Sequence, residues 1–483
     1  MDLEFMRPFI KYVPEITLPK RHVAFKEKLI WTLVILSLFY VLGTVYPLKV
    51  SAVDLPPSYR QFQIIFASHV GSLISVGIGP IVTASIVLQL LAGSKMLEID
   101  LSTNEGKALF QGTQKILTII IALFEASAVV LGFQLGKSYF EAQGLAWTPT
   151  DPIVIGAILQ IALGSIILMY LDEIVSKWGI GSGIGLFIAG GVSQEIVSGS
   201  LNFLYWINSN VWSEQSGLGI IPRFLSQMVG SSAVDINIIF PLIATIIVFL
   251  VAVYAESMRL EIPLSYGGVR GVGGRYPLKF FYVSNIPVIL TAALLANVQM
   301  LPAIVGVNPH SPPPFAQMNQ IQQAVVTFVA YVTINGVGHS LNGILTPANW
   351  GQMLDWIVIL HLITYTLAFL AMCILFGKFW VETTGLGAEK VAEQIQKGGM
   401  QIPGFRRDKR VVERVLNRYI PHITILSSVS IGLLAVGADL LGAIGSGTGI
   451  LLTVGILYRL YEELEREQMA DMHPAFRRLM GKE

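Results

Sequence analysis

The sequence predicts an all-α polytopic membrane protein with ten transmembrane helices in two inverted halves of five. Three observations carry this. The chain of 483 residues is 53% hydrophobic and 13% charged, with a mean hydropathy of +0.65, too apolar for soluble domains of that length. Its apolar residues gather into ten runs, and about 20 residues suffice to cross hydrocarbon. Two pairs of those runs resemble each other five runs apart.

The runs fall at 27–46, 77–93, 114–136, 152–171, 179–199, 237–256, 281–301, 352–377, 420–438 and 441–458. The first follows a polar stretch with Pro8, Pro14 and Pro19, and no small-residue cleavage site follows it. It reads as a retained span, since a signal peptide has an apolar core of about 7–15 residues. Placing both termini in the cytoplasm puts 28 of the 32 Lys and Arg residues on that side, the orientation the positive-inside rule favours. The segment "IQQAVVTFVAYVTI" at 321–334 is short for a span. Counting it as one would move the nine basic residues between Lys378 and Arg418 outside. It is therefore expected to be a strand-like hairpin or a half-inserted segment of the external connection.

Two long cytoplasmic connections, 257–280 and 378–419, are polar, turn-rich and basic. Such loops serve as topology determinants or dock on anionic lipid, nucleic acid or an acidic protein surface. Much chemistry is absent from the pattern. The cluster "KWGIGSGIGLFIAGG" at 177–191 is no phosphate loop: Leu186 stands where a third glycine would follow Gly181 and Gly183, and no G-K-[ST] follows. The seven histidines include no close metal-ligand spacing. Cys373 is the one cysteine. Glu125 is the clear intramembrane acid, a functional candidate because burying its charge is costly. No nucleophile, base and electrophile assemble, so neither an enzyme nor a cofactor is expected.

The halves echo each other. "IGSGIGLFI" at 180–188 matches "IGSGTGILL" at 444–452, and "GIGPIVTASIVLQLL" at 77–91 matches "SNIPVILTAALLANV" at 284–298. Spans two and seven, and five and ten, pair as a five-plus-five inverted repeat requires, with a functional site expected where the halves meet. The division is 1–236 and 237–483. Ile180 and Ile184 lie four apart, as do Ile78 and Val82, and are expected to share a helix face. Small residues beside branched apolar ones suit tight packing or a hydrophobic constriction. On these features alone a secondary transporter with a mid-membrane site is also possible.

The runs "SVGIGPIVTASIVLQLL", "YLDEIVSKWGIGSGIGLFIAGGVSQ", "YVSNIPVILTAALLANVQ", "FWVETTGL" and "GSGTGILLTVGILYRLYEEL" closely resemble the SecY/Sec-alpha family in its archaeal form, in order along nearly the whole chain. That resemblance implies a protein-conducting channel of the cell membrane, which translocates secretory polypeptides and releases membrane-protein helices into lipid. Its apolar pore ring would be Ile78, Val82, Ile180, Ile184, Ile289 and Leu452. A plug helix would occupy about 58–68, including Ser58, Ile64 and Ser68. A lateral gate between spans two and three on one half and seven and eight on the other would carry Thr83, Glu125 and Asn297. The basic loops, with Arg270, Arg275 and Arg406 at their tips, would engage the ribosome or another translocation partner. A SecE/gamma-type subunit and a beta-type subunit complete the implied partners, with signal sequences, nascent polypeptides and membrane lipid. No role carries over to the external segment 302–351.

Overall fold

The computed structural model describes residues 6–21, 23–50, 60–93, 96, 103–203, 218–229, 235–266, 273–307, 314–335, 340–397, 400–401 and 409–472. Helices occur at all ten predicted spans. They are α1 (Phe25–Thr44); α3 (Gly79–Gly93), after a short α2 (Arg60–Ile65); α4 (Asn104–Gly132); α5 (Pro152–Trp178); α6 (Gly183–Leu201); α7 (Phe240–Ser257); and α8 (Ile286–Gln299). After α9 (Gln320–Val332) come α10 (Trp356–Thr384), α11 (Ala388–Lys397), α12 (Lys409–Leu440) and α13 (Gly447–Met472).

Local chemistry sets the ends. Asp151 caps α5 by accepting the Ile153 N–H at 2.8 Å, with Pro152 in the first turn, where its missing N–H costs nothing. Gly385 closes α10 in the left-handed conformation, at φ +73°. Lipid-facing surfaces show the pattern of a soluble helix reversed. On α7, Ile243, Ile246, Ile247, Leu250 and Tyr254 are exposed along one stripe, while the small Ala244 and Ala252 and Val248 pack with Ala443, Ile450 and Val454 near and on α13.

The two repeat pairs are structural as well as sequential. α3 and α8 are the short apolar helices, of 15 and 14 residues, about 22 Å at 1.5 Å per residue, too short to cross alone. Each starts two residues after a positive-φ position, Gly77 at +59° and Ser284 at +53°, and each has a proline second in the helix, Pro80 and Pro287. α6 and α13 start alike too. Gly181 and Gly445 both take φ +77°, and Gly183 and Gly447 open the helices two residues on. At Gly183 a Cβ would strike the Asp172 backbone, and at Gly447 the Ala438–Asp439 backbone. Glycine is needed there for close approach.

Two expectations change. Ile180 and Ile184 do not share a helix, because residues 179–182 form a bend and α6 begins at Gly183. Ile78 and Val82 do sit one turn apart, the Val82 N–H donating to the Ile78 carbonyl at 3.1 Å. Of the two alternatives for the segment 321–334, the strand-like hairpin is overturned: it is helical through Val332. Asn319 and Gln322 form a reciprocal capping box, and 13 residues make about 20 Å. It docks on α10, where His361 Nε2 lies 2.7 Å from the Thr333 carbonyl and Thr364 donates to that of Tyr331 at 3.0 Å.

Candidate functional site

Where the halves meet, α3 and α6 face α8 and α13 around a cavity of about 290 Å³. Val82, Ile184, Ile188, Ile286, Ile289 and Ile456 line it. Polar lining residues include Ser85, Gln89, Arg459 and Glu463, and Arg459 and Glu463 lie past the apolar part of α13. Three of the six ring residues expected from the resemblance, Val82, Ile184 and Ile289, thus share the cavity. Ile78 and Leu452, both fully buried, belong to the same apolar core. Ile180 is not brought to the cavity. It is buried in the bend before α6, its N–H donating to Thr32 Oγ1 of α1 at 3.1 Å.

The expected plug segment contains α2 and the turn after it, and Ser58 lies outside the described residues. The segment is held by backbone bonds, Ser68 N–H to the Gln63 carbonyl and Ile78 N–H to the Phe66 carbonyl, both 2.9 Å. Phe66 is fully buried and Ser68 nearly so. Glycines make its seat: Cβ atoms built at Gly191 and Gly449 would meet Ala67 at 3.6 Å and Ile64 at 2.9 Å. Ile64, partly buried, therefore rests on the first turn of α13, with Leu452 about one turn further along.

The three expected gate residues form one polar bridge. Asn297 on α8 donates from Nδ2 to Thr83 Oγ1 at 2.8 Å, and the Thr83 hydroxyl on α3 donates to Glu125 Oε1 on α4 at 2.9 Å. Glu125 is 4% exposed, and its Oε2 faces Gly79 and has no hydrogen-bond partner among the described residues. A buried carboxylic group with one satisfied oxygen costs free energy in this arrangement. The bridge therefore ties the two halves together with little to spare.

The two basic connections are joined in a sheet of order β2-β1-β3, an arrangement the turn-rich reading did not anticipate. Strand β1 (Arg259–Tyr266) pairs antiparallel with β2 (Gly273–Lys279), from Arg259 opposite Lys279 to Ser265 opposite Gly273. β3 (Met400–Gln401), from the second connection, adds on through Ser265 and Tyr266. Arg275 is not at the tip but within β2, opposite Pro263. Arg270 and Arg406 lie outside the described residues. The hairpin base is fastened to α13: Lys279 Nζ and Arg259 Nη2 lie 2.8 and 3.4 Å from the Glu462 carboxylate, with Lys279 over the Tyr458 ring.

Two acids escaped the sequence reading. Asp172 and Asp439 are near the ends of α5 and α12, and their partners are mostly backbone N–H groups of the next helix. The available signal was an acid a few residues before each Ile-Gly-Ser-Gly turn.

A polytopic helical body, with two structurally echoing halves meeting at an aliphatic cavity and a short helix seated beside it, defines a channel-type membrane protein. The SecY family model matches residues 72–461. A protein translocase subunit SecY of Pyrococcus horikoshii is 45% identical over 97% of both chains. Among solved structures, one described as a protein conducting channel is 42% identical, covers 97% of this chain and 99% of its own, and has a TM-score of 0.78. Sec61 in the canine ribosome-channel complex from the endoplasmic reticulum, also 42% identical with the same coverage, has a TM-score of 0.75. The chain belongs to the SecY family.

Proposed function

We propose that the chain is a protein-conducting channel whose constriction is the aliphatic cavity between its halves. The observation that carries this is the cavity lining: Val82, Ile184, Ile289 and Ile456 come from α3, α6, α8 and α13, two helices of each half. A gasket of branched side chains adapts to a moving polypeptide while offering ions no polar partner, the physics of a hydrophobic gate. Ile78 and Leu452, buried in the same core, complete this ring at rest, and Ile180 joins it as the chain enters. Residues 58–68 plug it at the α13 start. The bridge of Asn297, Thr83 and Glu125 is the closed lateral gate, exchanged for contacts with a signal helix on opening. A solute transporter would need polar ligands at mid-membrane, and the ring positions here are aliphatic.

Photocrosslinkers at Val82, Ile184 and Ile289 are expected to capture a chain stalled in transit. A functional complex that gives no adduct at any of the three sinks the assignment.

The halves are 1–236 and 237–483, both termini are cytoplasmic, and the β sheet faces the ribosome or another translocation partner. Likeness to a ribosome-bound Sec61 supports that partner, and arginine suits phosphate-rich RNA. A SecE/gamma-type and a beta-type subunit complete the assembly. Replacing Arg406 by Glu is expected to lower partner binding, most at low salt, and to flatten its salt dependence, measured by co-sedimentation at several salt concentrations. Binding unchanged at every salt concentration removes Arg406 from the interface.

A further inference from the structure

We propose that Asp172 and Asp439 are positioning residues for the constriction, each fixing the start of one pore-lining helix from the helix before it. The inference rests on the assignment of Ile184 and Leu452 to the constriction. Asp439, 2% exposed, accepts the Gly447 and Thr448 N–H groups on Oδ1 at 2.8 and 3.2 Å, and the Thr448 hydroxyl on Oδ2 at 2.7 Å. Asp172 Oδ1 accepts the N–H of Ile184 itself at 2.8 Å. In the first half the local cap residue, Ser182, makes no side-chain capping bond, so the first-turn donors of α6 depend on the neighbouring helix.

That arrangement differs in consequence from an ordinary cap. The first N–H groups of a helix carry its positive dipole end and want a partner, and a carboxylate is the strongest available. Because the carboxylate belongs to another helix, α6 cannot slide or tilt against α5, nor α13 against α12, without losing a charge-assisted bond. In one half the ring residue Ile184 is the donor. In the other, Leu452 follows Thr448 by four residues and shares its helix face. Gly183 and Gly447 make the approach possible, and Gly181 and Gly445 turn the chain into it with the same φ. The device occurs once in each half, at the two copies of the Ile-Gly-Ser-Gly turn.

The test is small-ion flux per resting channel, with the full chain and its partner subunits reconstituted in phospholipid vesicles. Asp439→Ala and Asp172→Ala are expected to raise flux on the order of tenfold by loosening a dewetted gate. The Asn variants, which keep one acceptor oxygen, are expected to fall between. Asp151→Ala removes an ordinary local cap, also a 2.8 Å N–H bond, from the opposite end of α5 and is expected to leave flux unchanged. Leu452→Ser, run in parallel, reports the constriction directly. If Leu452→Ser leaks and the aspartate variants do not, the positioning role is wrong and the constriction stands. If Leu452→Ser is also tight, both fail. If Asp151→Ala leaks as much as the others, the effect is general loosening and the inference falls. Should the Ala chains not accumulate, the Asn variants decide: raised flux supports the role and unchanged flux overturns it.

Discussion

Thr83→Val is expected to make the channel accept signal sequences that it otherwise rejects. The substitution is nearly isosteric, so packing between α3 and α8 survives, but the hydroxyl at the centre of the bridge is gone. Asn297 Nδ2 loses its acceptor and Glu125 Oε1 its donor. Because Glu125 Oε2 already lacks a hydrogen-bond partner among the described residues, the carboxyl group is left unpaired among them in a site 4% exposed. Each orphaned group costs about 1–3 kcal/mol. That penalty falls on the closed arrangement, since separating α3 from α8 gives both groups access to other partners. A net shift of about 3 kcal/mol moves the gate equilibrium by roughly a hundredfold, so a signal helix with weaker differential affinity suffices. The measurement is translocation efficiency of substrates carrying graded signal sequences, in Thr83→Val against wild type. Thr83→Ser, which keeps the hydroxyl, is expected to behave as wild type. Wild-type selectivity in Thr83→Val would remove the bridge from the gating equilibrium.

The spans were legible because a lipid-facing helix must be apolar whatever its neighbours do. Their interruptions were partly legible. The prolines of "GIGP" and "SNIP" mark where α3 and α8 begin, and the repeated Ile-Gly-Ser-Gly marks a repeated turn. What periodicity could not deliver was the break itself: a helical reading carried through residues 179–182 put Ile180 on one face with Ile184, whereas Gly181 at φ +77° ends any continuous helix. The β hairpin was hidden for a different reason. "RLEIPLSY" alternates Leu260, Ile262, Leu264 and Tyr266, but the glycines and charges around 267–275 mask that alternation. The segment 321–334 is rich in β-branched residues that favour strand, while Asn319 and Gln322 supplied a cap that favoured helix. The bridge residues at 83, 125 and 297 have no local signature linking them, so only resemblance to a family could group them. Asp172 and Asp439 each stand ahead of an Ile-Gly-Ser-Gly turn, but that position does not reveal their role, because the backbone N–H groups they hold leave no trace in a sequence.

The seat of α2, the proposed plug, leads to the second large effect. Valine at position 449 would place its Cβ 2.9 Å from Ile64 Cγ2 and 3.1 Å from both Ser446 Oγ and Val192 Cγ2, with two further methyl groups beyond. Something must move, and an overpacked core resists by about 1–3 kcal/mol. α6 and α13 are helices of 19 and 26 residues anchored in the main apolar core through Phe187, Val192, Leu451 and Leu452, whereas α2, which reaches the same core through Ile65, is six residues long. The seat therefore yields on the side of α2, and Ile64 leaves the α13 start. Gly449→Val is expected to assemble and translocate while its resting ion flux rises on the order of tenfold, as a constriction without its stopper conducts. Ile64→Ala in the same chain removes the colliding atoms and is expected to restore the seal, a coupling that additive effects at independent sites would not produce. Flux measured in vesicles for the two single variants and the double variant separates the possibilities. A double variant as leaky as Gly449→Val would mean that the valine acts through Ser446 or Val192, and α2 would lose its role as the stopper.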